Sequence, residues 1–198
     1  MNFLAHAYLS GDNENILFGN FIADAVKGRA FNLYPEQIQL GIQLHRMIDH
    51  YTDNHRLFKS SKKRLTNNYG KFAGVIVDIF YDHYLSRNWN NYSDIELNEF
   101  VSGTYKILIK NFSLLPAKSK KILPFMISQN WLVGYANFDG LTRVFNGMSR
   151  RTKKYNSGME HAVASLQKDY ILYHHEFTGF FPELINHVKE IRENLKII

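Results

Sequence analysis

The chain has 198 residues, none of them cysteine, and carries 24 lysines and arginines against 18 aspartates and glutamates, a net charge of +6. That length buries a core as one domain, and the missing thiols exclude disulfide staples, cysteine metal sites and thiol redox chemistry. The excess of cations asks for an acidic partner, whether nucleic acid, anionic membrane or acidic protein. No run of about 18 apolar residues is present to span a bilayer, and Met1 to Ser10 lacks the charged start and apolar stretch of a secretory leader. A soluble cytoplasmic protein is expected.

Helical periodicity dominates, with no sustained period-two run. A short helix is predicted over Phe3 to Leu9, and a second from Glu14 to Lys27, closed by Gly28. A long third helix covers Tyr34 to His55, with Pro35 in its first turn. Arg56 to Gly70 reads as a mobile loop, and Lys71 to Arg87 as a central helix, apolar nearly all round. Ser93 and Glu96 have capping-box spacing and open a helix to Asn111. Pro116 and Pro124 punctuate shorter helices, of which Phe125 to Ala136 carries Trp131, and Asn137 to Gly140 turns into Leu141 to Met148. The basic stretch Ser149 to Ser157 reads as mobile, and two further helices divide near Gly179 to Pro182. The expected fold is all-α, a single-domain helical bundle over residues 1–198.

Two of these helices place ionisable groups where core residues belong. His45, Asp49 and Asp53 recur every four residues, and so do Asp78 and Asp82. Steps of four on a helix differ by only about 40°, so each set projects together. Ile38 and Ile42 share the face of Asp49, while Val75, Val77, Ile79, Phe80, Tyr81 and Leu85 surround Asp78. A buried carboxylate is costly without a partner cation or a proton, and two of like sign add repulsion; a metal ion would answer both problems. His45 with Asp49 could equally be a hydrogen-bonded core pair. Arg46 could neutralise Asp49 or hold a phosphate. Asp24 follows Asn20 by one turn and leans toward Leu17 and Phe21. His83 falls among Val75, Ile76, Ile79 and Phe80 as a packed residue or a base, and His6 by itself reads as packed. Histidine and aspartate ligands without thiolate suit Mn²⁺, Mg²⁺, Fe²⁺ or Zn²⁺, and such a site makes hydroxide from water and stabilises charge on a phosphoryl oxygen. No phosphate-cradling Gly-rich loop and no Gly-x-Ser-x-Gly elbow competes with it.

The chain resembles a known family. Met1-Asn2-Phe3-Leu4-Ala5-His6 and Gly19-Asn20-Phe21-Ile22-Ala23-Asp24 open the likeness, which continues through Gly41-Ile42, Leu44-His45-Arg46, Ile48-Asp49 and Thr52-Asp53. Asp78, Asp82-His83, Leu85-Ser86-Arg87, Gln129 to Val133, Asn146-Gly147-Met148, Arg150-Arg151 and Phe181-Pro182 follow in order. In these motifs the sequence is similar to the bacterial acyl carrier protein phosphodiesterases. The resemblance implies a helical fold of the HD-like metal phosphohydrolase kind and removal of the 4′-phosphopantetheine arm from holo acyl carrier protein with a divalent metal, Mn²⁺ or Mg²⁺ foremost. It implies His6, Asp24, His45, Asp49 and Asp78 as metal ligands. Asp82 or His83 is expected to move a proton, and Asn20, Arg46, Arg150 and Arg151 to hold substrate. An acidic carrier protein would account for the basic surface without nucleic acid or membrane. The rival readings are an HD-like hydrolase of a nucleotide or alarmone, and a helical nucleic-acid-binding module.

Overall fold

Apolar residues three and four apart give this chain its architecture, and in the computed structural model, which describes residues 1–197, every regular element is helical. Helix α1 (Phe3–Leu9) is almost wholly buried. It packs on α2 (Glu14–Ile22), whose first turn is closed by the Asn13 side chain accepting from Asn15 and Ile16 N–H. The expected continuation of α2 to Lys27 does not occur. The chain tightens into a 3₁₀ turn at Ala23–Ala25, and a second one at Gly28–Leu33 leads to α3 (Glu36–Asn54).

Helices α2 and α3 pack tightly along one another because two glycines face each other where they cross. A Cβ on Gly19 would lie 2.2 Å from Ile38 O, and one on Gly41 2.3 Å from Ile16 O. The crossing sets Asn20, one residue beyond the first glycine, against His45, one turn beyond the second.

The stretch from Arg56, expected as a loop, is helix α4 (Arg56–Tyr69). Phe58, Ser61, Leu65 and Tyr69 recur on its buried face, and lysines cover the other. It packs on α5 (Ala73–Arg87), the central helix, where Ile76, Val77, Phe80, Tyr81, Tyr84 and Leu85 are fully enclosed. Helix α6 (Leu97–Lys110) starts without the expected capping box, since Ser93 Oγ accepts from Ile95 N–H and Glu96 makes no side-chain cap. Helix α7 (Ala117–Ser128) continues through Pro124, and the break falls instead at Asn130, whose φ of 44° turns the chain into α8 (Trp131–Gly134). Asn137 caps α9 (Phe138–Arg151) by accepting from Gly140 N–H, so the first two arginines of the basic stretch are helical. Its next residues, Lys153–Tyr155, form a 3₁₀ turn. After α10 (Ala162–Lys168) the chain breaks at Asp169, and α11 (Tyr170–Asn194) runs unbroken through Gly179 and Pro182. Phe177, Phe180 and Phe181 of α11 are fully buried in the one contiguous core. Among the described residues no helix is long and apolar enough to cross a membrane.

Candidate metal centre

Two helices and a 3₁₀ turn converge on one cluster. His6 of α1 and His45 of α3 stack ring on ring, with centroids 4.0 Å apart and planes 18° from parallel, and Asp49 closes the group one turn after His45. His6 Nε2 lies 3.1 Å from Asp49 Oδ1, and His45 Nε2 lies 3.1 Å from Asp49 Oδ2. Asp24, in the 3₁₀ turn after α2, brings Oδ1 to 3.4 Å from His45 Nε2. The histidines are 3% and 6% exposed, whereas the Asp24 side chain is 74% exposed, so the cluster opens to solvent on that side.

The orientation of His45 is fixed from behind. Asn20, with no exposed surface, donates its Nδ2 hydrogens to His6 O at 3.1 Å and Ser10 Oγ at 2.9 Å. Its Oδ1 therefore accepts from His45 Nδ1, 3.1 Å away. In the neutral ring that tautomer leaves the Nε2 lone pair aimed between Asp24 and Asp49, and Nε2 is buried without a hydrogen bond despite both nearby carboxylates. Two imidazoles and a carboxylate converging on one point, one of them with its facing nitrogen unbonded, are arranged as a shared cation's ligands would be. Asn20, expected from sequence to hold substrate, is fully buried here, and its side chain bonds His45, His6 O and Ser10.

The electrostatics agree. Burial, reinforced by charge on His45, pushes His6 down to about 4, so it is neutral and able to ligate. Burial also opposes charge on His45, but the contacts with Asp24 and Asp49 outweigh it and raise the imidazole to about 9. Asp49 is held well below the usual carboxylate range, because His45, His6 and the chain's amino group overcome its burial, and contact with His45 lowers Asp24. The acids draw positive charge into the cluster. Among the described residues, the group whose donor atoms lie within 4.8 Å of one another is His6, His45 and Asp49, which fits a divalent metal ion.

Asp78 stands apart from that trio. The Met1 amino group sits between the two acids, 3.3 Å from Asp49 Oδ1 and 3.0 Å from Asp78 Oδ1. It supplies the cation that their like charges demand, and they raise it to about 11 against the cost of its burial. Burial pushes Asp78 itself upward. Asp82, expected to move a proton, is fully buried and accepts from Leu4 N–H at 2.8 Å and Ala5 N–H at 3.1 Å, anchoring the first turn of α1. Burial lifts it to about 7, those two N–H groups notwithstanding. His83 points away from the cluster, with Nδ1 2.7 Å from Tyr135 O and Nε2 3.0 Å from Tyr170 Oη. Arg46 is exposed, donates to Val26 O at 3.3 Å and lies over the Phe31 ring, so it braces the segment that carries Asp24. Arg150 and Arg151 are exposed at the end of α9, with Arg151 6.0 Å from the Trp131 ring centroid. Asp53 is exposed and outside the cluster.

A cavity of about 260 Å³ has Asp24 in common with this cluster and is walled by Phe3, Phe21, Val75, Ile79 and Trp131. Residues 1–184 match the acyl carrier protein phosphodiesterase family. The chain belongs to this family. Acyl carrier protein phosphodiesterases of Photorhabdus laumondii and Escherichia coli O157:H7 are each 30% identical to it over 186 residues, covering 93% of this chain and 93% and 96% of theirs. That of Yersinia enterocolitica is 28% identical over 191 residues, 96% of this chain and 98% of its own. No solved structure matches. The matched span of the phosphodiesterase family holds every member of the cluster, the orienting Asn20 and the cavity wall. Sequence reasoning missed the orienting role of Asn20, although its place beside Gly19 on a tight helix crossing was a signal. Nothing local in the sequence pointed to the amino group or to the cavity.

Proposed function

We propose that this chain hydrolyses the phosphodiester of holo acyl carrier protein, releasing 4′-phosphopantetheine and the apo protein at a divalent metal held by His6, His45 and Asp49 with Asp24. The observation that carries the reading is the bare, buried Nε2 of His45, aimed by Asn20 at Asp49 and Asp24. The mixed nitrogen and oxygen donors suit Mn²⁺, Mg²⁺, Fe²⁺ or Zn²⁺, and the family resemblance puts Mn²⁺ or Mg²⁺ first. A bound ion would supply hydroxide from water at neutral pH and take up charge on the phosphoryl oxygens. The chain's own residues do the rest. His6 and His45 hold a fixed face, Asp49 keeps it anionic, and exposed Asp24 leaves the side by which substrate enters. The oxygen of water joins phosphorus, the bond from phosphorus to the carrier's hydroxyl oxygen breaks, and that oxygen takes the proton. Arg46, beside the Asp24 segment, keeps N–H donors beyond the one given to Val26 and is assigned to the substrate phosphate. Asp78 holds the amino group against the cluster.

Mass spectrometry of holo carrier protein incubated with this protein and Mn²⁺ should show loss of the phosphopantetheine mass, and chelation should stop it. A carrier protein left intact refutes the reaction. Turnover surviving exhaustive chelation, with no metal by elemental analysis, removes the metal from it.

A further inference from the structure

Asp24 is the member of the cluster that lines the cavity, and it stands at one end of it. The cavity wall is mixed. Phe3, Phe21, Val75 and Ile79 are apolar, and Asn2, Ser119 and Lys118 are polar. Asn2 Nδ2 donates to Tyr135 Oη at 2.9 Å, so a polar pair faces otherwise apolar space. At the far end Ile122, Trp131 and Arg151 also line a second, outer cleft between α7 and α9, so the cavity runs from Asp24 to another surface. At about 260 Å³ it falls just below the usual range of ligand sites, roughly 300 to 1,000 Å³. A slender chain suits it better than fused rings.

From this geometry we infer that the cavity is the binding site of the pantetheine arm, with the phosphate at the Asp24 end and the thiol end toward Trp131 and Arg151. The inference rests on the proposed reaction, because the bond cut there lies on the carrier side of the phosphate. With that bond at the cluster, the carrier protein stays outside, beyond exposed Asp24, and the rest of the arm must extend inward. The arm's chemistry fits the wall, since its two amides need polar partners and its methyl-bearing carbon and methylenes need apolar ones.

The test uses calorimetric titration of 4′-phosphopantetheine and of pantetheine, which lacks the phosphate, into the Mn²⁺-loaded protein. Both should bind, pantetheine more weakly. Val75 and Ile122 are only partly buried, so Val75→Phe and Ile122→Trp direct their added bulk into the cavity rather than the core. Each should weaken both ligands at least tenfold and raise KM for holo carrier protein, while Mn²⁺ affinity stays as in the wild type. If one variant does not fold, the other decides. Wild-type affinity for both ligands in a folded variant overturns the inference, as does failure of the wild-type protein to bind either ligand. Ligand binding that the variants abolish, in a protein that never cleaves holo carrier protein, would refute the reaction and leave the pocket standing. Cleavage with KM unchanged in both variants would do the reverse.

Discussion

The amide of Asn20 accepts from His45 Nδ1 and so decides which nitrogen of His45 faces Asp24 and Asp49. Asn20→Ala removes the acceptor of His45 Nδ1 and the donor to His6 O and Ser10 Oγ. Loss of such a supporting contact weakens metal affinity by about 10- to 100-fold, and the stranded polar atoms cost about 1–3 kcal/mol of stability. Metal titration and urea unfolding read the two effects separately, and unchanged affinity would deny the orienting role. His83 makes a different prediction. Both its ring nitrogens are engaged, and burial, helped by the Arg87 charge, lowers it from 6.5 to about 4. The unfolded chain therefore takes up this proton first as pH falls. Stability from neutral His83 is complete above 6.5 and is lost on acidification through about 4, a change on the order of 3 kcal/mol. Buried Asp82, raised to about 7, acts with the opposite sign, because its folded form takes up a proton before the unfolded one does. Only the difference between wild type and His83→Gln isolates the histidine. Unfolding free energies of the two proteins should converge on acidification, and parallel pH profiles would show that another group is responsible.

At the scale of elements, the glycine crossing of α2 and α3 brings the cluster together. Alanine is usually the better helix former by about 1 kcal/mol, yet at Gly19 its methyl would meet the Ile38 carbonyl and force the helices apart. Gly19→Ala should destabilise the protein by about 1–3 kcal/mol and also loosen metal binding, because Asn20 and His45 ride on the separated helices. A thermal melt with and without Mn²⁺ checks both, and a variant as stable and as tightly metal-bound as the wild type contradicts the crossing's role. Helix α4 is secured by another long-range contact. Glu176 of α11 accepts from Ser60 at 2.7 Å, from Ser61, and from both terminal nitrogens of Arg64. No local pattern in the lysine-rich α4 sequence announces that partner, 112 residues from Arg64, which is why the segment read as a loop.

Over the whole molecule the net charge of +6 is spread across separate faces, with Lys59, Lys62 and Lys63 exposed on α4 and Arg143 and Arg150 on α9. A field of this kind acts on the rate of encounter with an acidic carrier protein more than on the bound complex. Raising ionic strength from about 0.01 M to 0.15 M shortens the screening length from about 30 Å to 8 Å and should lower kcat/KM for the carrier protein about tenfold. Stopped-flow association should slow in parallel. A rate indifferent to salt would show that the surplus charge has no part in capture.

The all-helical class, the long α3 and the central α5 follow from apolar spacing alone, because a helix registers its own periodicity within a few turns. His45 and Asp49 were legible for the same reason, since four residues on one helix fix their shared face. Asp24 showed itself by leaning toward Leu17 and Phe21 one turn after Asn20, whereas His6, among apolar neighbours, drew its weight from the family motifs alone. What tertiary structure decided was assignment among similar groups. Asp49 meets two histidines, while Asp78, equally buried in pattern, meets the amino group, and Asp82 meets the backbone of α1. The sequence shows that a carboxylate is misplaced, but its partner comes from another helix, and only the packing of α1, α2, α3 and α5 against one another determines which one it faces.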